Sequence, residues 1–203
     1  VDYYYGERRL TSSRGRSVSY VVNDRHGADG GFNPRFFEAI PEHPSYLREQ
    51  LSLGVGECVY GFGEKFTHFV KNGQTVDMWN SDGGTSSYQS YKCVPFFLTS
   101  GGWGVFVNSS GNVSFEAGSD VVSKISFTLP GEEMEYFLIG GAEPKDVLRS
   151  YTSLTGRAPL VPRYTFGLWL STSFTTDYSE ETVNSFIDGM EERGIPLQVF
   201  HFD

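Results

Sequence analysis

The sequence predicts a mostly β fold followed by a strand–helix–strand unit with parallel strands. Three observations carry that expectation. Residues 1 to about 140 alternate short aromatic and β-branched runs with turn residues. At Glu143 the pattern changes to a helical period. Beyond Pro162 two apolar runs flank one amphipathic helix.

In the first part, the runs at 18–22, 58–62, 75–79, 96–99, 103–107, 124–129 and 135–139 read as strands. Glycine breaks separate them, at Gly83-Gly84, Gly101-Gly102, Gly111 and Gly140-Gly141. Strands at this spacing, with no helical pattern between them, indicate a sandwich or barrel. The first 50 residues are the least legible, and 27–34 reads as loop. Pro144 suits the first turn of a helix, with Val147, Leu148, Tyr151 and Leu154 on one face. Gly156 stops that helix, and Pro159 and Pro162 mark the next segment as a linker.

Residues 164–170 form a compact apolar run expected to be a strand. Ser179 can cap a helix whose first turn holds Glu180 and Glu181, where carboxylates favour the positive end of the dipole. Val183, Phe186, Ile187 and Met190 keep the i, i+3, i+4, i+7 spacing of one buried face. Gly194 and Pro196 end the helix, and 197–202 is a second apolar strand. Together these make a βαβ unit. Two strands and one helix cannot cover both faces of a parallel sheet. The expected division is therefore a β domain at 1–141, a helix and linker at 142–161, and a second domain that begins at 162 and is cut short at 203.

Composition excludes several classes of function. The 203 residues are 38% hydrophobic and 16% aromatic, enough to build a core. Acidic side chains number 25 against 16 basic, a formal charge of −9, with no Lys/Arg run to meet phosphates. A nucleic-acid partner is disfavoured. No apolar run reaches the roughly 20 residues of a membrane span. Cys58 and Cys93 form no disulfide framework and point to a reducing compartment, so the expected location is cytoplasmic. Asn108-Ser109-Ser110 and Asn112-Val113-Ser114 fit the glycosylation sequon, but in such a compartment they are chance matches.

Several motifs fail on inspection. Gly61-Phe62-Gly63-Glu64-Lys65-Phe66 starts like a dinucleotide loop but lacks the third glycine and the subsequent helix, so structural glycine is the better reading. The four histidines are scattered without ligand spacing, and no metal or organic cofactor is expected. No G-x-S-x-G elbow is present. There remain carboxylates beside aromatics and amides at the ends of elements. Trp79-Asn80-Ser81-Asp82 runs into a glycine loop, 171–176 comes after the first βαβ strand, and Asp203 ends the second. Sugars offer hydroxyls and apolar C–H faces. A carboxylate accepts hydroxyl hydrogen bonds worth roughly 1.5–3 kcal/mol when charge-assisted, and a ring covers the C–H face. Taken alone, Asp82 reads better as a turn former and Phe174 as a core aromatic.

The blocks VYGFGEKF (59–66), VDMWNSD (76–82), VPFFLTS (94–100), WGVFVNSS (103–110) and EYFLIGGAEPKDVLRSYTSLTGRAPLVPRYTFGLWLS (135–171) occur in one order and continue through VFHFD (199–203). In that order they resemble glycoside hydrolase family 31, most closely its α-xylosidase branch. The likeness covers residues 51–203 well and 1–50 only loosely. It implies a galactose-mutarotase-like β-sandwich followed by the first βαβ unit of a truncated (β/α)8 TIM barrel, with the barrel beginning near Pro162. By the same resemblance Phe174 matches an aromatic that shapes the sugar pocket, Asp203 a carboxylate that holds hydroxyls of the terminal sugar, and Asp82 a sandwich-loop residue over the barrel mouth.

The family's retaining mechanism uses a nucleophile and an acid/base carboxylate, both later than the second barrel strand. The resemblance therefore implies no catalytic residue in this chain, and the chain alone is expected to be inactive. The segment STSFTTDYS (171–179) lacks the Arg and Gly-Tyr that family α-glucosidases carry there, which favours the xylosidase branch. The implied partner is an oligosaccharide or α-xyloside, and a homo-oligomer is left open. Other readings are an α-glucosidase of the same family, a non-catalytic carbohydrate-binding sandwich, or a structural β domain.

Overall fold

The computed structural model describes residues 1–22, 45–80 and 90–202, apart from the side chain of Phe174. The chain divides into two units, Val1–Gly156 and Arg157–Asp203, each described by itself.

The first unit is a sandwich of antiparallel sheets. Strands β1 (Asp2–Tyr5) and β2 (Arg8–Ser12) form a hairpin. A five-stranded sheet is built from β3 (Ser19–Val22), β4 (Ser45–Ser52), β6 (Gln74–Met78), β9 (Val113–Ala117) and β10 (Lys124–Pro130), in the order β3-β4-β10-β9-β6. Facing it, β5 (Val59–Gly63), β7 (Cys93–Thr99), β8 (Trp103–Val107) and β11 (Tyr136–Gly140) pair in the order β11-β8-β7-β5.

Period-two alternation puts Val76, Phe115, Ile125 and Phe127 on the inner face of the first sheet, and Val59, Phe97, Val105 and Val107 on that of the second. All are 5% exposed or less. Phe115 is the hub: it pairs in register with Val76 and Phe127, and its ring lies 4.8 Å from Phe62 and 6.1 Å from Phe97. Trp103 is fully buried and meets Phe97 edge-on at 5.7 Å. Its indole N–H donates to Glu57 Oε1 at 2.5 Å, which also accepts from Thr99 Oγ1 at 2.5 Å. A buried indole needs such a partner, and Glu57 supplies it.

The outer face of the four-stranded sheet is covered by α1 (Pro144–Thr155). Pro144 opens it, as expected of a residue with no N–H to lose. Of the four apolar residues expected on one face, Val147 is fully buried and Tyr151 stacks on Phe96 at 3.8 Å. Leu148 and Leu154 stay about half exposed. The strip is narrower than the sequence pattern suggests, because one helix lying on a sheet contacts it along a single line.

In the second unit, β12 (Leu168–Leu170) and β13 (Leu197–Phe200) pair in parallel, joined through α2 (Glu180–Glu192). Ser179 caps α2, accepting from Thr182 N at 3.3 Å. The expected strand over 164–170 needs correction. Its first part is a 3-10 turn, Arg163–Phe166, and only the last three residues are strand. The Pro162 carbonyl accepts from Thr165 N at 3.1 Å and from Thr165 Oγ1 at 2.7 Å, and Gly167 N closes on Tyr164 O at 3.0 Å. A local hydroxyl-to-backbone bond has outcompeted strand pairing. Leu168, Trp169, Phe186 and Ile187 each stay more than a third exposed.

Candidate functional site

Asp82 and Asp203 lie outside the described residues, as does the side chain of Phe174, whose backbone belongs to a 3-10 turn at Ser173–Thr175. The structure describes the residues that flank these three in the chain.

The chain leaves β6 at Trp79 and Asn80 ahead of Asp82, and the described residues resume at Ser90 and Cys93. Asn80 and Ser90 form an isolated bridge, and Cys93 N donates to Asn80 Oδ1 at 3.1 Å. Cys93 Sγ donates to Trp79 O at 3.3 Å. The Ser90 hydroxyl donates to Glu64 O, so the end of β5 is tied to the same root. Here the G-F-G run has its explanation. Gly63 has φ +83°, and a Cβ on it would collide with Lys92 O. Gly61 has φ +122°, and a Cβ there would come within 2.6 Å of Phe96 O. The glycines let β5 bulge against β7, which is a backbone role and not a phosphate cradle.

Beside this root lies a cavity of about 410 Å³ lined by Met78, Trp79, Asn80, Cys93, Pro95 and the 109–111 turn. Trp79 presents a half-exposed ring, 49% accessible. An open aromatic face with an amide and the Ser109 and Ser110 hydroxyls around it has the composition that sugar rings require. The serines carried no signal in the sequence beyond a chance sequon.

The carboxyl ends of β12 and β13 form the second framework. His201 N donates to Leu170 O at 2.8 Å, which holds the two ends level. Phe202 packs against Phe200 at 5.6 Å and Tyr178 at 5.1 Å. The Thr172 and Thr176 hydroxyls are enclosed and find no hydrogen-bond partner among the described residues. Asp177, between them and α2, is held below the usual carboxylate range by hydrogen bonds from Thr182 and Ser179. That makes it a part of the helix cap.

A strong electrostatic perturbation lies elsewhere, on the outer face of the five-stranded sheet. Arg48 on β4 reaches across Ser126 to Glu116 on β9, and also donates to Asp120 at 2.7 Å. Glu116 is 1% exposed, and its carboxyl is pushed up to about 7. Burial is the main cause. Arg48 opposes it, and Asp120 and Asp77 add to it. Asp77 is likewise raised, first by burial. Because the folded value for Glu116 exceeds the unfolded one, its contribution is complete below about pH 4.5 and is lost as pH rises through about 7. We expect the unfolding free energy to fall by roughly 3 kcal/mol across that window on this account. Glu116→Gln should remove most of the fall, leaving a smaller slope from Asp77. Denaturant titrations at pH 5 and pH 8 read this directly, and a wild-type slope in Glu116→Gln would refute the assignment.

Among the described residues, no group of three or more His, Cys, Asp or Glu side chains is placed to hold a metal ion. No described helix is long and apolar enough to cross a membrane.

Comparison with known proteins gives consistent matches. Residues 1–116 match the glycosyl hydrolase 31 N-terminal galactose mutarotase-like domain, and residues 158–203 match the glycosyl hydrolases family 31 TIM-barrel domain. Alpha-xylosidase XylQ of Lactiplantibacillus pentosus is 60% identical over 159 residues, which is 78% of this chain and 21% of that protein. An alpha-xylosidase of Emericella nidulans is 47% identical over 196 residues, or 97% of this chain and 25% of its own length. The chain thus spans about a fifth to a quarter of the curated relatives it matches. A GH31 dextranase of Flavobacterium johnsoniae superposes with a TM-score of 0.76 over 98% of this chain and 22% of its own, at 24% identity, and shows the fold alone. The mostly β architecture ending in the start of a TIM barrel agrees with the expectation from sequence.

Proposed function

Because the chain belongs to glycoside hydrolase family 31, we propose that the complete protein is a retaining α-glycosidase that releases terminal α-xylosyl residues from oligosaccharides. The observation that carries the xylosyl assignment is the 47% identity to an α-xylosidase across 97% of the chain, sandwich and barrel start alike. The missing α-glucosidase signature in 171–179 supports it from the sequence side.

On this reading, the carboxyl ends of β12 and β13 bring Phe174 and Asp203 toward the terminal sugar, since barrel enzymes place their sites at that end of the strands. Asp203 accepts hydrogen bonds from the sugar's hydroxyls, and Phe174 limits space near C5, where glucose carries its extra CH2OH. Asp82 reaches the substrate from the sandwich loop. The nucleophile and the acid/base are assigned to later barrel strands, with the glycosyl-enzyme formed on the first and water activated by the second. A freestanding binding module is the weaker reading, because residues 158–203 match a catalytic barrel domain.

The test is product analysis with the complete enzyme and an α-xylosyl-terminated oligosaccharide, monitored by proton NMR from the first turnovers. The expected product is free xylose appearing first as the α anomer. First-formed β anomer, or release of an internal fragment in place of xylose, would contradict the proposal.

A further inference from the structure

We propose that Lys65 and Cys93 close into an oxidant-driven covalent crosslink, a sulfenamide joining Lys65 Nζ to Cys93 Sγ at the root of the Asp82 loop. The inference rests on the sandwich alone and stands apart from the glycosidase reading. Lys65 Nζ lies 2.9 Å from Cys93 Sγ and 3.2 Å from Asp77 O. The thiol finds acceptors elsewhere, Trp79 O at 3.3 Å and Ser90 O at 3.6 Å, so its lone pairs are left facing the amine. The placement is built in: Gly63 and Cys93 are register partners of β5 and β7, and Lys65 is two residues past that pair. Cys93 also lines the roughly 410 Å³ cavity beside Trp79, through which a small oxidant reaches the sulfur.

The thiolate is the reactive form of cysteine, and here its sulfur lies 2.9 Å from the Lys65 amine. Hydrogen peroxide is the oxidant. The thiolate attacks one peroxide oxygen, the O–O bond breaks, and the departing hydroxide takes a proton to become water. Sulfur is thereby oxidised by two electrons to the sulfenic acid, and the peroxide is reduced. Lys65, having released a proton to solvent, attacks that sulfur through its nitrogen lone pair. The S–N bond forms as the S–O bond breaks, and hydroxide leaves with the amine's proton as a second water. Thiol, amine and peroxide thus give a sulfenamide and two waters. The bond would tie the end of β5 to the start of β7, where Cys93 already binds Trp79 and Asn80. Cys58 serves as an internal control: its sulfur lies 3.8 Å from Gly56 O and meets no lysine amine among the described residues.

The experiment treats the chain with dilute hydrogen peroxide and maps tryptic peptides by mass spectrometry. The expected product is lighter than the starting chain by about 2 Da, joins the Lys65 and Cys93 peptides, resists cleavage at Lys65 and is reversed by a thiol reductant. Its yield should exceed that in Cys93→Ser by at least about tenfold, and Lys65→Arg should instead leave a sulfenic acid at Cys93 that a 1,3-dicarbonyl reagent traps. Wild type that accumulates sulfenic or sulfinic acid at Cys93 with Lys65 free would overturn the proposal. So would an interchain disulfide as the main product, or a linked product that retains oxygen.

Discussion

Asp203→Ala in the complete enzyme is expected to lower kcat/KM for an α-xyloside about a hundredfold, the loss of roughly 3 kcal/mol of transition-state stabilisation. The residue comes just after β13, whose backbone is held in parallel register with β12 and whose end is fixed by the His201–Leu170 hydrogen bond. A carboxylate fixed at a strand end can strengthen its hydroxyl contacts as the ring flattens toward the oxocarbenium-like transition state. Asp82 is followed in sequence by Gly83-Gly84. On the proposed reading a contact made from there would be softer than one made at a strand end, so Asp82→Ala is expected to act mainly on KM, by about tenfold or less. Steady-state kinetics on both variants, after each is shown to be folded, decide the ranking. Equal losses, or a kcat defect confined to Asp82→Ala, would reverse the division of roles.

Phe115→Ala is expected to destabilise the sandwich by about 3–5 kcal/mol. The side chain is fully buried and touches aromatic rings from both sheets, Phe62 and Phe97 on one side and Phe127 on the other. Removing it leaves a cavity at the junction of four strands, and a stiff antiparallel frame closes such a hole only in part. Phe115→Leu should recover more than half of the loss, since most of the volume returns. Denaturant midpoints with unchanged m-values measure this. A loss under about 1 kcal/mol for the alanine variant would show that Phe115 is not the hub of the core.

Much of the sandwich was legible because its strands carry their own signal. Residues 103–107 and 124–129 alternate or run apolar between glycine turns and appear as strands almost to the residue. The helix starts at Pro144 and Ser179 were equally plain, being set by local capping. Strands β4 and β9 were missed for a physical reason. β4 reads SYLREQLS and β9 VSFEA, with charges where a buried strand should be apolar. Arg48 hydrogen-bonds to Glu116 across the sheet, and that pairing exists only once the chain has folded. The hairpin β1–β2 was hidden similarly, since Arg8 finds its acceptors at Gly101 O and Gly141 O, far along the chain.

The candidate site was legible to a different degree. Spacing placed Trp79 at a strand break and Phe174 and Asp203 after apolar runs, but gave no reason to group them. Only the resemblance did so. The Lys65–Cys93 contact had no sequence signature at all, because the two are brought together by a bulged strand pair whose register depends on Gly61 and Gly63 lying against β7.

The central claim, a family 31 enzyme specialised for α-xylosyl groups, is tested most directly by substrate choice. The measurement is kcat/KM of the complete enzyme for an aryl α-xyloside and for the matching aryl α-glucoside, under identical conditions. The two glycones differ only by the CH2OH at C5, a difference of the size that a close-fitting pocket converts into roughly 10–200-fold selectivity. The account predicts that the xyloside is preferred by at least about tenfold. Equal rates, or preference for the glucoside, would contradict it.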